Sequence, residues 1–147
     1  IAPGYAHTIA LLADGTVKAF GGNWSGQLGD GTTTYHSTPV TVPGLSSIVS
    51  IAVTGYSSFA RSADSTVYSW GTGSNGVLCN GSTSNTYSPG SIGSGFVGVA
   101  AGPSAQAVML RKSDGSLYGC GNNWSGQLGH GTYDSGSSSP TLVNGAW

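Results

Sequence analysis

The chain has 147 residues, of which only 6% are charged, and its four Lys or Arg stand against five acids for a net charge of −1 at pH 7. Typical globular domains are about a quarter charged, and so few cations exclude the basic surface that neutralises a run of nucleic-acid phosphates. No apolar run approaches the roughly 18 residues of a helical membrane span, so Ser, Thr, Asn and Gly must carry solvation.

In chain order, Ile1-Ala2 opens in a strand and turns at Pro3-Gly4. A strand over about Ala6–Leu12 alternates poorly, as a strand covered on both faces does. Asp14-Gly15 predicts a two-residue hairpin turn, and Thr16–Phe20 returns antiparallel with β-branched and aromatic residues. Gly21–Thr38 has no periodicity and reads as a loop ordered by its own polar groups. Pro39–Val42 is a short outer strand, with Pro on an edge where a missing donor does no harm. Pro43-Gly44 turns the chain into Ser47–Val53, an apolar innermost strand.

The same plan then repeats. GGNWSGQLGDGT at Gly21–Thr32 returns as GNNWSGQLGHGT at Gly121–Thr132, and Gly71–Ser82 keeps the skeleton. Glycines at 26, 76 and 126 and leucines at 28, 78 and 128 hold a spacing of fifty, as do Asp14, Asp64 and Asp114. The repeats span about 1–46, 47–94 and 95–147 within a single domain over 1–147. In the second, Asp64-Ser65 replaces Asp-Gly and weakens the hairpin. In the third, Val99–Ala101, Ala107–Arg111, Ser116–Cys120 and Pro140–Val143 fill the strand slots.

The pattern His7-Thr8, Ala10-Leu11, Asp14-Gly15-Thr16-Val17, Phe20-Gly21, Asn23, Gly26-Gln27-Leu28-Gly29, Gly31-Thr32-Thr33 and Pro39-Val40 resembles the regulator of chromosome condensation repeat. The resemblance implies an all-β fold of β-propeller blades, here three four-stranded repeats. A propeller needs about four to eight blades, so self-association or further blades must complete it. Gly145-Ala146-Trp147 followed by Ile1-Ala2 echoes the junction Gly95–Gly102, which predicts an innermost strand divided between chain ends.

Within the repeat, Gly26, Gln27, Leu28, Gly76, Leu78, Gly126, Gln127 and Leu128 are structural positions. Gln27 and Gln127, with Asn23 and Asn123, are expected to bond the loop and the adjoining blade. Cys79 occupies the slot of Gly29, and Cys120 that of Phe20 and Trp70. If a loop reaches the following blade the two cysteines meet in a disulfide; two buried thiols are the other reading.

Catalysis finds no support. His7, His36 and His130 occupy unrelated repeat positions without ligand spacing, and His7 is expected to donate to a backbone carbonyl between blades. The aspartates are turn residues, and no Gly-x-Ser-x-Gly elbow is present. Gly93–Gly98 matches G-x-G-x-x-G but opens no helix, as a dinucleotide site requires. Neither cofactor nor metal is expected. Trp24 and Trp124 stand in loops where they either pack on the next blade or, with Tyr35 and Tyr133, present an aromatic anchor. Asn23, Asn80 and Asn123 fit the N-x-Ser/Thr glycosylation triplet.

The resulting expectation is a non-enzymatic scaffold binding another protein or copies of itself, as a six-bladed dimer or a head-to-tail polymer. A secreted carbohydrate-binding module using the loop tryptophans is the alternative. The composition points to a secreted protein or an extracellular surface. The family's nucleotide-exchange activity on a chromatin-bound small GTPase does not carry over, because the charge it needs is missing.

Overall fold

A computed structural model describes residues 1–145. The junction predicted at Ala146 and Trp147 lies outside the described residues. Twelve strands form three four-stranded antiparallel sheets, each made of consecutive strands. Blade 1 holds β1 (Ala2–Pro3), β2 (His7–Leu11), β3 (Val17–Gly21) and β4 (His36–Thr41). Blade 2 holds β5 (Ile48–Val53), β6 (Ser57–Ser62), β7 (Val67–Gly71) and β8 (Thr86–Gly93). Blade 3 holds β9 (Phe96–Ala100), β10 (Ala107–Lys112), β11 (Leu117–Asn123) and β12 (Asp134–Leu142).

Three local expectations are corrected. The β2–β3 connection is a three-residue loop: Leu12 N–H bonds Thr16 O, Gly15 N–H bonds Leu12 O, and Gly15 takes φ 83°. The third loop residue supplies the left-handed step that rejoins the strands. In blade 2 that residue is Ser65, held at φ 68°. The outer strands are also longer than predicted, β4 starting at His36 and β12 at Asp134, because irregular registers beside Gly21 and Gly121 let the edge strand pair early. Finally, the innermost strand of blade 3, expected over Val99–Ala101, is Phe96–Ala100; the Gly93–Gly98 motif joins two strands and, as expected, opens no helix.

Burial along the second strands records which blade has neighbours, since alternate residues face opposite sides of a sheet. In β2 the buried residues are His7 and Ile9; in β10 they are Val108 and Leu110, the opposite parity by repeat position. In β6 nearly every residue is buried. Blade 2 is therefore sandwiched, and each outer blade is covered on one face only. Two apolar layers do the joining: Ile9, Val17 and Ala19 pack against Ala60 and Trp70, and Phe59 and Val67 pack against Val108, Leu110 and Cys120. Each fully buried Ile, Val, Leu or Phe contributes about 1.5–3 kcal/mol. A lone strand pair is marginal in water, so inter-blade contact stabilises the array.

Candidate functional site

The Gly-rich loops after β3 and β7 bind each blade to the next. Asn23, fully buried, organises the first: Nδ2 donates to Asp30 Oδ1 (3.1 Å), Thr32 O (3.1 Å) and Thr34 O (3.0 Å), while Oδ1 accepts from Leu28 N–H (2.9 Å). Asn123 repeats this with Thr132 O, Asp134 and Leu128 N–H. The loop thereby aims the Gln27 carbonyl at blade 2, where it accepts from Ser58 Oγ (2.9 Å) and Trp70 Nε1 (3.0 Å). The contact to the adjoining blade runs through this backbone carbonyl, whereas the Gln27 side chain bonds its own loop at Ser25 N–H. Its Nε2 is buried without a partner among the described residues; Gln127 Nε2 donates to Asn122, a position held by Gly22 in the first repeat.

His7 completes the junction. Because Ser58 Oγ donates to the Gln27 carbonyl, it accepts from His7 Nε2–H at 2.9 Å, so His7 donates to a hydroxyl rather than to the predicted carbonyl. Burial pushes His7 down to about 4 and keeps it neutral. The other titrating groups serve the loops. Asp14 accepts from Thr16 N–H, Asp64 from the Ser62 hydroxyl and then Thr66 N–H, and Asp114 from the Ser116 hydroxyl and then its N–H, which holds their carboxyls below the usual range. Burial would raise Asp30, but hydrogen bonds from Thr32 and Asn23 and the charge of His36 keep it low. The Thr132 hydroxyl, followed by Asn123 and Gly136 N–H, takes Asp134 to about 2.

Gly29 marks one of the close approaches between loop and blade. At φ 72°, a Cβ on it would lie 2.6 Å from Trp70 Nε1. At the next junction Cys79 stands in the Gly29 slot and Cys120 in the Trp70 slot, and the two form a disulfide with Cα atoms 5.5 Å apart. A small loop residue against an indole has become a covalent bond at the same place in the fold. The third loop has no such cover. Ser25, Gln27 and Gly29 are buried, yet Ser125, Gln127 and Gly129 are exposed. On the far side of blade 1, Thr8 and Phe20 are only half-buried, while Ser58 and Trp70 at the same positions of blade 2 are fully buried. Leu28, Leu78 and Leu128 are buried in every repeat. Gly26 lies against Tyr87 and Gly76 against Ser138 of the following blade, whereas the atoms nearest Gly126 belong to Tyr133 of its own repeat.

The predicted aromatic anchors part company. Trp24 packs on Tyr35 (ring centroids 5.7 Å apart) and on Tyr56 of blade 2 (5.4 Å). Trp124 and Tyr133 are 71% and 81% exposed. Asn23 and Asn123 have buried, fully engaged amides, so they are corrected as glycosylation candidates; Asn80 is exposed. Ser58 carries no signal in the sequence, since it stands outside the repeat's glycine pattern. The offset joining Gly29 to Trp70 equals that joining Cys79 to Cys120, and this was the available signal. No cluster of three metal-ligating side chains occurs among the described residues, and none of their helices is long and apolar enough to cross a membrane.

Four antiparallel strands per sheet, repeated side by side with loop-to-next-blade docking, define a β-propeller blade array. The Regulator of chromosome condensation (RCC1) repeat model matches residues 14–61 and 114–146, and the chain belongs to this repeat family. Human WBSCR16 is similar in structure, with a TM-score of 0.83 and 24% identity over 96% of this chain and 38% of its own. Prp20p from Saccharomyces cerevisiae, described with its binding to Gsp1p and histones, gives a TM-score of 0.80 and 24% identity over 99% of this chain and 38% of its own. Yeast RCC1 (Prp20) carrying Kap60 gives 0.79 and 23% over 99% and 37%. The chain thus spans less than two-fifths of the length of these structures. A comparison with curated protein sequences finds no match.

Proposed function

We propose that this chain is a non-catalytic interaction scaffold whose open blade faces dock a further blade, supplied by a second copy arranged head to tail. One observation carries the reading: the third Gly-rich loop is exposed where the first is buried, and the opposite face of blade 1 is half-exposed where the same face of blade 2 is buried. The two faces are complementary by position. Phe20 stands where Trp70 meets Gly29, so it would meet Gly129; Thr8 stands where Ser58 donates to the Gln27 carbonyl, so its hydroxyl would reach that of Gln127. Blade 3 also carries an apolar hollow of about 230 Å³ bordered by Met109 and Leu117, which a neighbouring blade would fill. Such contacts close a ring or extend a fibre according to the rotation between copies.

Size-exclusion chromatography with light scattering tests this. The chain is expected to run as a dimer or larger, and Met109→Asp, which places a charge on the docking face, should yield a folded monomer. A folded wild-type monomer at every concentration measured would refute self-association. The similar structures described with Gsp1p, histones and Kap60 support protein binding as the general role. Secretion remains part of this proposal and rests on the low charge.

A further inference from the structure

Beyond blade docking, we propose that the hollow between blades 2 and 3, on the face carrying the first turn of each repeat, binds the ring of a small neutral saccharide. The hollow is about 410 Å³ and is bordered by Tyr5, Tyr56, Thr72, Asn75, Ser104 and Gln106. Ligand pockets of about 300–1,000 Å³ take small organic molecules.

Its origin lies in one departure from the repeat. In the first repeat Trp24 covers this place and packs on Tyr56 of the next blade. In the second repeat the Trp24 position is Ser74, and the Tyr56 position of the following blade is Gln106. Loss of the indole opens a slot the size of an amphipathic ring. Asn75, at φ 58° and ψ 14°, forms one side of it; Asn tolerates this left-handed backbone better than most residues.

The lining chooses the ligand. No charged side chain borders the hollow, so an anion, an amine or a metal ion would lose its hydration without gaining a counter-charge. Tyr5 and Tyr56 present ring surface, their centroids 5.5 Å apart and their planes at 65°, with Tyr5 76% exposed. Opposite them stand neutral amides and hydroxyls. Gln106 Oε1 is held by Asn122 Nδ2 at 3.2 Å, which leaves the Gln106 amide N–H groups free to donate. The Asn75 amide and the Ser104 hydroxyl form no hydrogen bond within the described residues. A purely apolar ligand would leave these groups unpaired. A pyranose has an apolar C–H face for the tyrosine rings and a rim of hydroxyls for Asn75 and Gln106.

The test is saturation-transfer NMR on the intact chain with cellobiose, maltose, lactose and N,N′-diacetylchitobiose as probes. Transfer to at least one sugar is expected. Ser74→Trp, which restores the residue of the other two repeats and fills the slot, should reduce it at least about tenfold, and Tyr5→Ala, at an exposed site, should weaken it. Trp124→Ala should leave it unchanged. No transfer to any of the four sugars overturns the proposal, as does transfer that survives Ser74→Trp or disappears with Trp124→Ala. The hollow is lined by residues of a single chain, and the comparison is between variants at one protein concentration, so this result and the docking result stand apart.

Discussion

Asn23→Ala probes the loop on which blade docking depends. The side chain is fully buried; its two amide N–H groups are shared among three acceptors, and its Oδ1 accepts once. Deletion leaves Leu28 N–H buried with no acceptor, a cost of about 1–3 kcal/mol. The Thr32 and Thr34 carbonyls sit nearer the surface, where water replaces the amide, and each loses about 0.5–1.5 kcal/mol. Together these give about 2–6 kcal/mol. For a chain of this size, about 2–4 °C per kcal/mol converts the middle of that range, about 4 kcal/mol, to a fall of roughly 8–16 °C in Tm, read by circular dichroism under non-reducing conditions. Asn23→Asp separates the two halves of the role. It keeps the acceptor for Leu28 N–H but turns the donor into a carboxylate facing Asp30 and two carbonyls. It should be the more damaging variant at pH 7 and should recover part of the loss as pH falls. A loss below about 1 kcal/mol for Asn23→Ala, or Asn23→Asp proving milder at pH 7, would refute the reasoning.

Other consequences are equally direct. His7 is buried neutral with its value lowered to about 4 from an ordinary 6.5, so the unfolded chain takes up the proton first; stability should hold above pH 6.5 and decline from there to about pH 4, by up to about 3 kcal/mol. Urea melts across that range check it, and an unchanged midpoint would count against a buried neutral His7. Ser65→Gly should stabilise the chain by about 0.5–1 kcal/mol, because relief of the left-handed backbone, worth about 1–2 kcal/mol, exceeds the added freedom of the unfolded chain; a lower melting temperature would contradict it. Reduction of the Cys79–Cys120 bond, which closes a loop of sequence separation 41, should cost about 4 kcal/mol in the chain-entropy model. Thermal melts with and without a strong reductant show this, and titratable thiols in the unreduced folded protein would rule the bond out.

Most of the architecture is legible in the sequence because the signals are local and triplicated. The aspartates at a spacing of fifty mark the hairpins, and the glycines mark the loops. Hairpin length is not legible, because Asp-Gly suits both two- and three-residue connections and only the Leu12–Thr16 pairing decides between them. The full outer strands are not legible either, because Ser- and Gly-rich segments carry little strand propensity, yet an edge strand needs only a partner's free amides and carbonyls. The site was less legible still. Trp24 and Trp124 look identical in sequence, but the indole of one rests on Tyr56 of blade 2 and that of the other is 71% exposed, with no blade packed on it among the described residues. Asn23 and Asn123 read as modification triplets until their burial is known.

If the third loop meets blade 1 of another copy as the first loop meets blade 2, Phe20→Cys and Gly129→Cys placed in one chain bring two thiols together across that contact. Cys79 already occupies the equivalent loop slot at φ 61°, against 64° for Gly129, so the backbone there accepts cysteine. Mild oxidation should give covalent dimers or a ladder of oligomers on non-reducing gels, and neither single substitution should do so beyond background. Monomer alone after oxidation of the folded double variant would contradict head-to-tail docking.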